Sequence, residues 1–309
     1  MEDVVVENEE AFTCTFGFRG ENHVGNQIIG EAEPRDLSAA AVEALHETFE
    51  KKGVESTLIK LEEELLPAAA AGKPWPKARV LVVTQKGAKK LLKFGEAELY
   101  AEAKRLRFDR KVLARGRVVN KHARFCTTMA DFEQEPCYEE GKGTVNNFKD
   151  FPAFDALRGV VAECVGEKPE EKTLIGEVNH YYDKWRGIGF HGDAERAISK
   201  DPKRGKEYGG GMTVGMRIGP GAKGMPLRFL GYLKKRAIGK MGVLALDRAA
   251  LYFMCGKANG GDFKQSNVQT WRHAAGHDAK RWGEPSGVQG KELKKEGKKW
   301  PVKAVYPRV

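Results

Sequence analysis

The sequence predicts an α+β protein: a double-stranded β-helix (jelly roll) over residues 115–290, preceded by a small α/β segment over 1–114 and followed by a basic tail over 291–309. Three observations predict it. Four short apolar stretches, 212–218, 226–233, 241–246 and 250–255, follow one another closely, separated by Gly-Pro-Gly-Ala-Lys-Gly, Arg-Ala-Ile-Gly-Lys and Asp247-Arg248. Short strands with glycine turns suit an all-β sandwich or barrel. In the first third, strand-like and helix-like patterns alternate as in an α/β layer. Finally, a His-x-Asp pair precedes the four strands and a further histidine follows them, matching the second and seventh strands of a jelly roll.

Taken in order, Phe12 to Phe18 alternates like a strand and runs into the polar loop Arg19-Gly20-Glu21-Asn22-His23-Val24-Gly25-Asn26-Gln27, where His23 is a candidate ligand or base. A helix starts after Asp36 or Ser38, either of which can cap it, and carries Val42, Leu45 and Phe49 at helical spacing. Lys51, Lys52 and Gly53 supply the basic end and glycine stop that helix C-termini prefer. Thr57–Leu61 and Arg79–Thr84 read as strands, Pro67–Pro76 as a loop, and Glu96–Arg107 as a helix. No Gly-x-Gly-x-x-Gly phosphate loop occurs there. Val118 and Val119 read as a basic strand, Asp131–Gly143 as an acidic loop, Phe154–Gly166 as an amphipathic helix, and Leu174–Asn179 as a strand.

Net charge is +10, and its distribution matters more than its size. Residues 104–124 hold nine basic side chains against one acidic, Asp109, and residues 291–309 hold seven against two. Clustered cations attract polyanions through counterion release, so DNA or RNA is the expected partner of both stretches. The neighbouring acidic loop offers the first cluster an internal partner instead. No apolar run reaches the roughly 20 residues a membrane helix requires. An acidic N-terminus and five cysteines without Cys-x-x-Cys spacing suggest an intracellular protein, cytoplasmic or nuclear, with reduced thiols.

The chemistry concentrates in residues 179–193, Asn-His-Tyr-Tyr-Asp-Lys-Trp-Arg-Gly-Ile-Gly-Phe-His-Gly-Asp. His191 and Asp193 share a face if the backbone is extended. A second histidine completes a two-histidine, one-carboxylate set with open positions on Fe(II). His273, after the strand-like Val268–Trp271, is preferred to His277, which lies in a polar turn. Zinc is the rival ion, and a hydrolytic zinc site would draw on Glu195 as base.

The pattern Asn179-x-Tyr181, Gly187-Ile188-Gly189-Phe190, His191-x-Asp193-x-Glu195 resembles the signature of the AlkB-like 2-oxoglutarate and Fe(II)-dependent dioxygenases. That resemblance implies that His191, Asp193 and His273 hold iron and that Asn179 and Tyr181 touch 2-oxoglutarate, with O2 as second cosubstrate. The family binds the distal carboxylate of 2-oxoglutarate with an Arg-x-Asn-x-x-x-x-Arg block on its last strands, which this sequence lacks. Arg281, eight residues past His273, is the first replacement candidate and Arg217 the second. Gly-Glu-Asn-His-Val-Gly, Arg-Val-Val-Asn-Lys-His-Ala-Arg and Arg-His-Ala-Ala-Gly extend the likeness to an uncharacterised group of such oxygenases in large DNA viruses and microbial eukaryotes.

The expectation is a dioxygenase that hydroxylates or demethylates a C–H bond of a nucleic-acid base or nucleotide, with Trp185 and Phe125 as stacking candidates. Oxidation of a protein side chain or small molecule is the alternative within the enzyme class. A metal-free nucleic-acid-binding protein on a degenerate jelly roll is the alternative outside it.

Overall fold

In the computed structural model, the residues described are 9–31, 37–66, 74–168, 171–196, 199–200, 207–208, 211–264, 267–285, 289, 291–292, 295–296 and 302–306. Asp36, most of the 67–76 loop and parts of the basic tail lie outside them. The chain begins with β1 (Ala11–Gly17) and the hairpin β2 (Arg19–Glu21) and β3 (Ile28–Gly30). Helix α1 (Ala39–Lys51) starts where Ser38 accepts the Ala41 N–H. Then come β4 (Ser56–Lys60), α2 (Leu61–Leu65), β5 (Arg79–Val83), α3 (Gln85–Leu91) and α4 (Glu96–Ala103).

The hairpin β6 (Lys111–Ala114) and β7 (Arg117–Asn120) precedes β8 (Phe125–Ala130), β9 (Val145–Asn147), α5 (Pro152–Cys164), β10 (Ile175–Tyr181) and β11 (Gly187–His191). A two-residue ladder, β12 (Ser199–Lys200) and β13 (Glu207–Tyr208), separates these from β14 (Thr213–Ile218), β15 (Met225–Leu233), β16 (Arg236–Leu246) and β17 (Leu251–Met254). The last elements are α6 (Gly256–Asn259), β18 (Thr270–Gly276), α7 (Ala279–Trp282) and β19 (Val302–Tyr306).

The architecture is mixed α+β, dominated by two antiparallel sheets, neither closed into a barrel. The large sheet runs β4-β5-β17-β14-β1-β10-β8-β9 and the small one β11-β18-β15-β16-β19. Within them, only β8–β9 and β16–β19 pair in parallel. Strands from the first 114 residues sit inside the large sheet, so the expected boundary at 114/115 runs through one hydrogen-bonded layer. Residues 302–306 of the expected tail form the outer strand of the small sheet.

The core follows from alternation. Phe12, Phe16 and Val178 point to one side of the large sheet and pack with Phe154, Leu157 and Val161 of α5. Thr13, Thr15, Glu177 and Asn179 alternate to the other side and line a cavity. Two expectations need correction. Arg236–Lys240 is not a turn but the start of β16, because the reversal falls on Lys234-Lys235, both left-handed with φ 50° and 63°. That backbone matches the twist of a tight hairpin, and lysines do not advertise it. The helix from Glu96 stops at Ala103 rather than at Arg107. No helix among the described residues is long and apolar enough to cross a membrane, and all five cysteines are unbridged.

Candidate metal centre

Both sheets line one cavity of about 200 Å³. On its small-sheet wall, β11 and β18 run antiparallel with His191 directly opposite His273. Ile188 pairs with Ala275 and His191 with His273, so β11 takes three residues where β18 takes two. That bulge re-aims a side chain. It turns His191 into the cavity beside Ile188, while Phe190 packs away from it with Tyr232.

Asp193 arrives differently from the extended geometry the sequence suggested, because the strand ends at His191. Gly192 lies against the Gly260 carbonyl, where a Cβ has no room, and the Asp193 N–H donates to Asn259 O at 3.2 Å. The loop is thus docked on the end of α6, and the carboxylate folds back toward the histidines. Asp193 Oδ1 lies 3.4 Å from His191 Nε2 and 3.3 Å from His273 Nε2, and the ligand atoms of all three residues fall within 4.8 Å of one another.

Protonation states follow from the partners. His191 Nδ1 is 2.8 Å from Gly189 O, and a carbonyl only accepts, so Nδ1 carries the hydrogen and Nε2 its lone pair. Desolvation, with His273 adding to it, holds the His191 imidazole below its ordinary value, which favours the neutral form a metal needs. Burial works against the Asp193 charge, but the two imidazoles outweigh it and hold the carboxyl well below its usual range. Thr213 Oγ1 lies 3.2 Å from Asp193 Oδ2 and 2.9 Å from Asn259 Oδ1, two acceptors that share its single hydrogen. Glu195, also at the cavity, is pushed well above the ordinary range by burial and by the Asp193 and Glu177 charges.

The large-sheet wall carries cations. Arg217, Thr13 and Asn179 form one cross-strand row over β14, β1 and β10. Arg217 is fully buried; its Nη1 donates to Met225 O, whereas Nε and Nη2 find no partner among the described residues. Thr13 Oγ1, buried beside it, is also unpartnered. Burial lowers the Arg217 pKa, so an anion there relieves a real cost. Asn179 Oδ1 accepts from Arg124 Nε at 2.6 Å, and Tyr181 lies buried next along the same face.

The structure therefore brings together His191, Asp193, His273, Asn179, Tyr181 and Arg217, with His23 and Glu195 also at the cavity. It leaves Arg281 out: that side chain is exposed on α7, its guanidinium 4.7 Å from the Trp282 ring centroid. His277 bonds Gly221 O instead of joining the cluster. Trp185 is 56% exposed, and Phe125 stacks on Tyr182, so neither lines the cavity. Arg124 and Thr13 were missed. Arg124 carries no local signal within its basic run; pairing of β8 with β10 brings it to Asn179.

No family model matches the chain. It is 32% identical over 275 residues to Uncharacterized protein R156 of Acanthamoeba polyphaga mimivirus, an alignment covering 89% of this chain and 98% of the viral protein.

Proposed function

We propose that this chain, which belongs to the family of that mimivirus protein, is an Fe(II)- and 2-oxoglutarate-dependent dioxygenase of AlkB-like type on a double-stranded β-helix. One observation carries the reading: a His-Asp-His set shares a small cavity with a buried arginine whose Nε and Nη2 are unpartnered among the described residues. Two imidazoles and a carboxylate suit Fe(II) and leave coordination positions open. The unpartnered Arg217 nitrogens and Thr13 hydroxyl suit a carboxylate, as the distal end of 2-oxoglutarate requires.

Strand order supports the fold. From β10 onward, with the β12–β13 ladder set aside, the strands fall in the large sheet (β10), small (β11), large (β14), small (β15 and β16), large (β17) and small (β18). In this reading His191 ends the second strand and His273 lies on the seventh. The slot between β10 and β14, where an eighth strand belongs, is filled by β1 from the N-terminus. An arginine block of the last strands then has no strand to stand on, and Arg217 of β14 takes its work.

When bound, iron with 2-oxoglutarate and O2 supplies oxidation of a substrate C–H bond, coupled to release of succinate and CO2. The chain's own residues do the rest. His191, Asp193 and His273 hold the metal, Thr213 fixes the carboxylate, and Arg217, Thr13, Asn179 and Tyr181 hold the cosubstrate. The apolar side chains Ile188 and Leu227 limit water in the cavity.

The proposed substrate is a nucleic-acid base or nucleotide. Supporting this, Arg110, Phe125, Tyr182 and Arg186 stack in series: Arg110 is 5.2 Å from the Phe125 ring centroid, the rings are 4.5 Å apart and nearly parallel, and Arg186 is 4.5 Å from that of Tyr182. Aromatic rings flanked by guanidinium groups suit single-stranded nucleic acid. Part of the basic run serves inside the protein, since Arg107 pairs with Glu133 and Glu135. A small-molecule or protein side-chain substrate is the second reading, favoured by the small cavity and by the absence of Phe125 and Trp185 from its lining. Succinate release across nucleic-acid, peptide and metabolite pools, with Asp193→Ala as control, tests the proposal. No succinate from any pool, and no visible charge-transfer band from anaerobic Fe(II) plus 2-oxoglutarate, would sink it.

A further inference from the structure

The cavity has a second polar corner, one row along the large sheet from Asn179. There Glu177 pairs across the strands with Thr15, and the β2–β3 loop brings Glu21 and His23 over it. The loop is held firmly. Asn22 is fully buried, bonds Gln27 through backbone and side chain, and accepts the Val24 N–H at 3.0 Å. Gly25 lies against the backbone of Gly141, where no side chain fits. His23 is kept in a left-handed conformation, φ 55°, which for a non-glycine residue is sparsely populated.

The hydrogen bonds fix which atoms are free. Burial raises the Glu21 pKa, but the hydrogen bond from His23 and the Lys264 and Arg124 charges outweigh it, and the carboxyl is held below its ordinary range. An ionised carboxylate only accepts, so the 3.2 Å contact puts the hydrogen on His23 Nδ1. In the neutral ring Nε2 is then an acceptor, 3.7 Å from Glu177 Oε1. That oxygen accepts the Glu21 N–H at 2.7 Å and keeps one lone pair, while Oε2 is taken by buried Arg196. At 3.7 Å no hydrogen bond joins Nε2 to Oε1. Two acceptors thus face one spot at the cavity, and a single nitrogen bearing two hydrogens reaches both.

We propose that His23 Nε2 and Glu177 Oε1, with Glu21 fixing the imidazole, form a binding site for an amino group of the substrate. The site selects a molecule with an N–H2 or ammonium donor and rejects one with a carbonyl in that position, which would leave both acceptors unpaired. The inference rests on the proposed function only in taking this cavity as the substrate's. Two sources carry this chemistry, the exocyclic amine of a heterocycle and an alkyl amine.

Calorimetric titration of the full chain with cytidine, uridine and 1,4-diaminobutane separates them. Cytidine binding about tenfold tighter than uridine, or diaminobutane binding at all, supports the site and names the source. His23→Asn tolerates the left-handed backbone and removes the imidazole; it is expected to abolish the preference while leaving the visible spectrum of Co(II) bound at His191, Asp193 and His273 unchanged. Glu177→Gln is expected to act in the same direction, but it also removes the partner of Arg196, so His23→Asn is decisive. Equal binding of cytidine and uridine with no diaminobutane binding overturns the proposal, as does a preference that survives His23→Asn. Failure of Co(II) to bind the unaltered chain would instead count against the metal centre and leave the amino-group test standing.

Discussion

The two walls of the cavity are built on opposite principles. On the small-sheet wall two of the three ligands are held in place, the His191 ring by Gly189 O and the Asp193 backbone by the Asn259 carbonyl, while His273 Nδ1 finds no partner among the described residues. On the large-sheet wall the main cation is left wanting, with two Arg217 nitrogens and the Thr13 hydroxyl buried at the cavity and unpartnered among the described residues. A wall whose three ligand atoms already converge is set to hold an ion. A wall with donors to spare is set for a ligand that comes and goes. The contrast separates what belongs to the protein from what it borrows.

Substitutions can break this contrast, starting with the largest effect. His273→Ala is expected to weaken Co(II) or Fe(II) binding by more than about 100-fold, beyond what loss of an orienting neighbour costs, as read by metal titration. Arg217→Met is expected to leave metal binding unchanged and weaken 2-oxoglutarate binding by about 10- to 100-fold, the range for hydrogen bonds to a charged group. The same variant should hold or raise the melting temperature without ligand, because it removes an uncompensated buried charge. A marked fall in melting temperature would mean that Arg217 is a structural cation, and the contrast would fail. Thr213→Val, which keeps the shape and removes the hydroxyl, is expected to weaken metal binding by about tenfold with little change in 2-oxoglutarate affinity. Arg281→Ala should leave both affinities within about twofold, as suits an exposed side chain stacked on Trp282.

The same division governs what could be read in advance. His191 and Asp193 sit in one short motif, and His273 follows the strands in the expected order, so the metal wall was legible from the sequence. Its means were not: the bulge at Gly189–Phe190 and the seat of Gly192 on Gly260 depend on β18 and α6, some 70–80 residues away. The arginine wall was half legible. Arg217 was the second candidate and lines the cavity, whereas Arg281, first by its spacing from His273, does not, because β18 ends at Gly276 and the chain leaves the cavity into α7. Nothing local marks Arg124 or Thr13, whose places come from long-range strand pairing. The fold shows the same limit. The strands after the motif were recognisable by composition, but the insertion of β1 between β10 and β14 is topology, and apolar alternation does not encode neighbours.

That insertion also dictates when the cavity can exist. Thr13 stands far upstream of its two neighbours in the row, Asn179 and Arg217. The strand β1 waits unpaired until β10 has been made, and it is clasped from both sides only once β14 follows. Contacts between such distant residues slow folding, because a long loop must close before any pairing rewards it. The arginine row is therefore among the last parts of the molecule to form. Until the sheet is whole the cavity has only one of its two walls.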